Sequence, residues 1–162
     1  MSIEHDYFGL IGDYWSEQVQ YGDQDVEVVL DADAGLVSTV SLDAAATMVG
    51  ELELVDDEVR SHFVSQLDSG SSPVSRFLRS LLEGEGDEQD AAAEAISRDS
   101  GDRDIDALRS LSLVRVDLRP DADGDGEHFA ELEYGLAPEE VDARLVAVID
   151  IGRDVVDVRF DA

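Results

Sequence analysis

Three aspartates near the C-terminus form the sharpest chemical pattern in this sequence. Asp121, Asp123 and Asp125 alternate with other residues and are followed by Gly126. This spacing is typical of the first half of a calcium-binding loop, but a full loop needs a glutamate at its twelfth position, which here is Leu132. The flanking residues also predict strands rather than helices. We therefore interpret the segment as a solvated turn, with weak Ca²⁺ or Mg²⁺ binding as the alternative.

A second candidate is the pair Glu58 and His62, which lie one turn apart on a predicted helix. A carboxylate beside an imidazole can orient a general base or join a metal site. No third ligand is identifiable, so a surface pair is the simpler interpretation. The sequence also has no G-x-S-x-G motif, no phosphate-binding loop and no cysteine. We therefore assign no catalytic residue and no cofactor, and we predict that the protein is not an enzyme.

The charge of the chain limits its partners. Its 162 residues include 40 acidic and 11 basic residues, for a net charge of −29, and none is lysine. Nucleic-acid backbones and anionic membranes need clustered positive charge, so we expect neither as a partner. The chain has no apolar run long enough to span a membrane and no signal peptide at its start, which predicts a cytoplasmic protein. A GC-rich genome or adaptation to high salt would also explain the acidity, and composition does not separate them.

Four predicted strands at the C-terminus organise the chain: residues 112–119, 127–134, 144–151 and 155–160. Strict alternation of apolar and polar residues marks a half-buried strand. The inward residues of the first, second and fourth strands are predicted to be Val114, Val116, Leu118, Ala130, Leu132, Tyr134, Val156, Val158 and Phe160. The third strand is apolar on both sides, so we place it centrally.

The other face of this sheet carries charge. In an antiparallel pair, Glu127, Glu131 and Glu133 would stand across from Arg115 and Arg119, and each cross-strand pair would stabilise the sheet by roughly 0.2–1 kcal/mol.

Four apolar residues are expected on the same outward face. They are Val29, Leu113, Phe129 and Val155. Together they would form a small apolar patch within a charged surface, which indicates a homodimer through the outer sheet face.

The rest of the chain is expected to cover the other face. Residues 14–21 and 26–30 predict a hairpin that extends the sheet. Apolar residues recur at helical spacing after Ser41, which we place as an N-cap. They do so again after Asp56, which begins a run of three acidic residues that suits the first turn of a helix. Ser72 and Pro73 begin the clearest amphipathic helix, and residues 105–111 form a short one. Between them, an acidic segment at about 84–104 is expected to be mobile.

Aromatic residues gather near the N-terminus: Tyr7, Phe8, Tyr14, Trp15 and Tyr21. Packing of the hairpin against the core is the simpler interpretation, and a ligand cleft is the alternative.

Several segments resemble the bacterial domain-of-unknown-function family numbered two-thousand-and-four. They are residues 7–9, 29–31, 113–120 and 129–134, Val141 with Asp142 before a hydrophobic strand, and the closing hairpin. The resemblance covers nearly the whole chain and implies a two-layer α/β sandwich. It supplies no activity and no site residues.

We therefore predict a single domain over residues 1–162, of the α+β class, with a mostly antiparallel sheet and helices packed on one face. The absence of a catalytic pattern and the large negative charge favour a protein-interaction domain that binds or inhibits a basic protein. The alternative is a small-ligand-binding or enzymatic domain that uses the aromatic N-terminal surface and scattered carboxylates.

Overall fold

The protein is described from a computed structural model. The structure describes residues 3–5, 9–11, 14–21, 24–31, 39–82, 90, 91, 94, 96, 103–119, 129–136 and 144–161.

Eight strands and four α-helices make up the described part of the chain. The strands are β1 (Ile3–His5), β2 (Gly9–Ile11), β3 (Tyr14–Tyr21), β4 (Gln24–Asp31), β5 (Ser112–Leu118), β6 (Ala130–Gly135), β7 (Arg144–Ile149) and β8 (Val155–Asp161). The helices are α1 (Thr39–Gly50), α2 (Leu52–Ser65), α3 (Pro73–Leu82) and α4 (Arg103–Arg109), and a 3-10 turn, Gln66–Asp68, follows α2.

Six strands form one open sheet in the order β3-β4-β5-β6-β7-β8. Every neighbouring pair is antiparallel except β4 and β5, which are parallel. Parallel neighbours need a long crossover, and here all four helices lie between β4 and β5 in the sequence. Because β4 pairs with β5, the hairpin of β3 and β4 extends the C-terminal sheet, as predicted. The short strands β1 and β2 pair with each other, a feature that the sequence did not predict.

One hydrophobic core joins the helices to a single face of this sheet. Phe77 of α3 meets Phe160 of β8 edge-to-face, with ring centroids 5.8 Å apart. Phe63 of α2 meets Tyr134 of β6 in the same way, at 5.3 Å. Such aromatic pairs add roughly 0.5–1.5 kcal/mol beyond their buried area. The α+β class with a mostly antiparallel sheet is confirmed. No helix within the described ranges is long and apolar enough to cross a membrane.

The helix starts differ in part from the prediction. α3 begins at Pro73 as expected, and the Ser72 hydroxyl oxygen accepts a hydrogen bond from the Ser75 amide at 3.1 Å, which is N-terminal capping. α1 begins at Thr39, so Ser41 lies inside the helix and is not its N-cap. α2 begins at Leu52, so Asp56 lies in its second turn and is not a first-turn acid. Apolar periodicity defines a buried face but not where the helix ends.

Two β-bulges overturn part of the predicted inward set. A register shift between Leu113 and Arg115 turns Leu113 into the core and leaves Val114 half-buried. A second shift, between Val148 and Ile149 opposite β8, places Val155 against the core and leaves Val156 exposed. An extra residue in one strand reverses which side chains face inward beyond it.

The predicted outer apolar patch is therefore wrong. Leu113 and Phe129 belong to the core, and Val155 packs against it, so Val29 does not share the outer face with them. The basis for a homodimer through that patch is lost. β7 is an interior strand, buried on both faces, but it lies next to the edge strand β8 rather than at the centre.

Most of the acidic segment at about 84–104 lies outside the described residues, so its mobility stays a prediction. Of the residues that are described there, Ala91 is buried and Ile96 packs against the core.

Candidate functional site

The outer face of the sheet, away from the helices, carries a cleft of about 240 Å³ that we call the outer-face cleft. Its lining is mostly charged: Arg115, Asp117, Arg119, Glu131, Glu133, Val146 and Arg159. Alternation along β5 to β8 brings these residues together, because side chains two apart share one face of a strand. The three arginines and three carboxylates balance each other, so the cleft is close to neutral in a chain of net charge −29.

Glu131 is the centre of the ion pairs in this cleft. It is only 6% exposed. Its two oxygens meet Arg159 at 2.6 Å and Arg119 at 3.2 Å. Arg119 also binds Asp117 at 3.0 Å. Two arginines on one buried carboxylate satisfy it with charge-assisted hydrogen bonds. The predicted placement of Glu133 across from Arg115 is confirmed, whereas Glu131 stands opposite Asp117 and reaches Arg119 only diagonally.

Two buried atoms in the same cleft have no hydrogen-bond partner. One is Arg115 Nε, a donor, and the other is Asp117 Oδ1, an acceptor. Glu133 is the cross-strand neighbour of Arg115, but it pairs with Arg144 at 3.7 Å instead. A buried polar atom left without a partner costs roughly 1–3 kcal/mol, so these two atoms favour a further partner, a water molecule or a ligand.

A second cleft, the α2 cleft, lies between helix α2 and the turn that joins β7 to β8. Its volume is about 270 Å³, and it is lined by Leu54, Val55, Glu58, Gly152, Arg153 and Asp154. Leu54 is 61% exposed although it is a large apolar side chain. It lies beside the acidic residues Glu53 and Glu58, which are also exposed. An apolar side chain surrounded by acids suits a ligand that has both an aliphatic part and a positive charge.

The β7–β8 turn holds a strained residue at this cleft. Arg153 has a φ of 71°, in the left-handed region that side chains other than glycine, asparagine and aspartate rarely adopt. The turn is closed by hydrogen bonds from the Arg153 amide to the Asp150 carbonyl and from the Asp150 amide to the Asp154 carbonyl, both 3.0 Å. Arg153 also pairs with Glu51. The strain is held by these contacts on both sides of the residue.

A third polar group is buried between the helices and the sheet, and we call it the buried triad: Asp56, Arg60 and Tyr134. The Tyr134 hydroxyl donates to Asp56 Oδ1 at 2.6 Å, and Arg60 Nε donates to the same oxygen at 2.9 Å. Arg60 also donates to the carbonyls of Leu108 and Leu111, at 3.2 and 2.8 Å. These contacts link α2, the end of α4 and β6, so the triad is structural and opens onto neither cleft.

Among the described residues, none of the sites predicted from the sequence lines either cleft as a pair or cluster. Asp121, Asp123 and Asp125 lie outside the described residues, so weak cation binding there stays a prediction. Within the described ranges, no three histidine or acidic side chains cluster in a way that could hold a metal ion. No hydrogen bond or ion pair joins Glu58 to His62 among the described residues, and the His62 ring contacts Gln66 instead, at 3.2 Å. The side chains of the N-terminal aromatic group also lie outside those described.

Sequence reasoning missed both clefts and the triad. The cross-strand charges were visible as an alternating pattern, but nothing in the sequence showed that Arg115 would lack a partner. The signal for the triad was weak: Asp56 in a helical period beside the apolar positions Val55 and Val59.

No protein-family model, no curated protein and no solved structure matches this chain. The resemblance to the family named above stays a prediction.

Proposed function

We propose that this protein is a non-enzymatic interaction domain that binds a basic protein partner at the α2 cleft. The observation that carries the proposal is an exposed Leu54, 61% accessible, among exposed acids at a cleft. Exposed leucines are common singly, but one at a cleft with Glu58 and Asp154 offers a matched surface for a lysine or arginine side chain. The aliphatic stem lies on Leu54, and the cation meets the carboxylates.

The charges around the cleft support the same partner. Glu53, Asp57 and Glu58 are exposed on α2 and form no ion pair with the residues that the structure describes. The only arginine of α2, Arg60, is held in the buried triad. The exposed face of this helix is therefore uniformly negative, and it adds to the field of a chain with net charge −29. Such a field speeds association with a basic protein and weakens as salt rises.

The strained turn supports a functional role for this place. A left-handed arginine costs about 1–2 kcal/mol, and strain of this kind concentrates at binding sites. Arg153 forms an ion pair with Glu51, which offsets its positive charge. The negative charge of the cleft therefore comes from Glu58 and Asp154.

Two double variants with equal charge test the proposal. Glu53→Gln with Glu58→Gln removes two negative charges beside the cleft, whereas Glu17→Gln with Asp25→Asn removes two from exposed positions on β3 and β4. Proteins captured from native lysate at low salt by the wild type should be lost with the first variant and kept with the second. Equal loss from both would mean that net charge alone acts, and the proposed site would be wrong.

Leu54→Asn tests the apolar half of the site at constant charge. Because Leu54 is exposed, the substitution should change stability by no more than about 0.5 kcal/mol. Capture of the same basic protein should weaken while its salt dependence stays unchanged. If capture is unaffected, Leu54 is not part of the binding surface.

A further inference from the structure

The outer-face cleft has features that a purely structural ion-pair cluster lacks. In such a cluster we expect each buried donor to meet an acceptor. Here Glu131 is fully used by two arginines, yet Arg115 Nε and Asp117 Oδ1 remain buried without partners. The two residues are two positions apart on one face of β5, and both line the same cleft.

The polarity of these atoms defines the ligand chemistry. Arg115 can donate to an anionic oxygen, and Asp117 can accept from an ammonium group or another N–H donor. A ligand with negative charge alone would meet three carboxylates in the lining and the repulsion of a chain with net charge −29. A ligand with positive charge alone would leave Arg115 without an acceptor and meet three arginines.

The size of the cleft limits the ligand further. A volume of about 240 Å³ lies below the range of roughly 300–1,000 Å³ that is usual for drug-sized ligands. Val146 is the apolar residue among the described residues of the lining, and because it is 4% exposed it offers only a small contact to an aliphatic group.

We propose that the outer-face cleft binds a small zwitterion of the size of an amino acid, whose carboxylate accepts a hydrogen bond from Arg115 and whose ammonium group donates one to Asp117. This cleft is separate from the α2 cleft, since the two share no lining residue, and it is tested separately from the basic partner.

The test is a titration of the isotope-labelled protein, followed by the amide signals of β5 and β6 in NMR spectra. The probes are L-alanine, which carries both charges, acetate, which carries the carboxylate alone, and methylammonium, which carries the cation alone. L-alanine should shift these amides in the millimolar range, and the two single-charge probes should not. Arg115→Met should weaken the response to L-alanine by about tenfold or more, which is the loss for one charge-assisted hydrogen bond.

Two variants complete the experiment. Asp117→Asn should also weaken the response to L-alanine, whereas Arg76→Met, which removes an exposed arginine of α3, should not. Equal shifts with acetate and L-alanine would indicate an anion site and would overturn the proposal. An absence of shifts with all three probes would mean that water alone occupies the cleft, and would overturn it as well.

Discussion

The buried triad and the outer-face cleft contain the same kinds of side chain on opposite faces of one sheet, but they differ in how completely their hydrogen bonds are made. In the triad, one oxygen of Asp56 takes both Tyr134 and Arg60, and the remaining donors of Arg60 reach two backbone carbonyls. In the cleft, Arg115 Nε and Asp117 Oδ1 are buried without partners.

The complete hydrogen bonding of the triad marks it as a support of the fold, whereas the cleft keeps two buried polar atoms without partners. A satisfied network in a low-dielectric interior specifies one arrangement of the elements around it. The triad does so for α2, α4 and β6, which are distant in sequence. An unsatisfied network at a cleft costs stability, and a bound ligand can recover that cost. The same arginine and aspartate chemistry therefore has two roles, and the surroundings decide which.

The largest effect is expected from Asp56→Ala. Asp56 is 5% exposed, and its loss leaves the Tyr134 hydroxyl buried without its acceptor and removes the ion pair of the partly buried Arg60. Breaking a buried pair in this way should lower the free energy of unfolding by about 3–5 kcal/mol, measured by urea unfolding. The matched control is Asp57→Ala at the exposed neighbouring position, which should change it by less than about 0.5 kcal/mol. Equal effects would show that the triad is not structural.

Tyr134→Phe should have the next largest effect. The ring keeps its edge contact with Phe63, and only the hydrogen bond to Asp56 is removed. A hydrogen bond to a charged group contributes about 1.5–3 kcal/mol, and urea unfolding should show a loss of that size. In the double variant with Asp56→Ala, the two losses should not add, because both remove the same contact. Additive losses would contradict the direct coupling of these residues.

Glu131→Gln removes a charged acceptor in the outer-face cleft. It should lower the free energy of unfolding by less than Asp56→Ala does. Its partners Arg119 and Arg159 are 37% and 47% exposed, so water can replace the lost charge. We expect a loss of about 1–2 kcal/mol in thermal or urea unfolding. Glu133→Gln is the control: its contact with Arg144 is longer, at 3.7 Å, and the Glu133 side chain is more exposed than that of Glu131, so the variant should cost less than about 0.5 kcal/mol. A loss as large as that of Asp56→Ala would remove the contrast between the two groups.

The smallest effect has the opposite sign. Arg115→Met removes the buried donor without a partner and keeps an unbranched side chain of related length beside Val146. The free energy of unfolding should therefore rise by about 1 kcal/mol. Arg76→Met removes the same charge from an exposed position and controls for the more negative net charge of the chain. If Arg115→Met destabilises the protein more than this control does, Arg115 has a structural partner and the cleft is not poised for a ligand.

Much of the fold could be predicted because the patterns that carry it are local. The continuous apolar run in residues 144–149 and the helical spacing of Val74, Phe77 and Leu78 reflect which faces of one element are buried, and all of these residues except Arg144 are in fact buried. The cross-strand position of Glu133 opposite Arg115 also followed from alternation. The errors occurred where one residue was added to a strand, at Leu113 and Val155, because a bulge reverses the alternation without a clear sequence signal.

The candidate sites were less predictable, because each depends on partners that are distant in the chain. Asp56 was interpreted as a first-turn acid because its neighbours are acidic, yet Tyr134, its main partner, lies 78 residues away. In the β7–β8 turn, Arg153 rather than the adjacent Gly152 takes the left-handed position, and no local pattern in the sequence indicates this.

The net charge of −29, the class of the fold and the alternation that puts acids and arginines on the outer face of the sheet all follow from the order of the residues along the chain. The tertiary structure alone decided which of these charges are satisfied. Composition and periodicity are properties of neighbouring residues, whereas a hydrogen bond depends on register, bulges and the packing of α2 against β6. The same residue types therefore stabilise the fold at Asp56 and leave an open donor at Arg115.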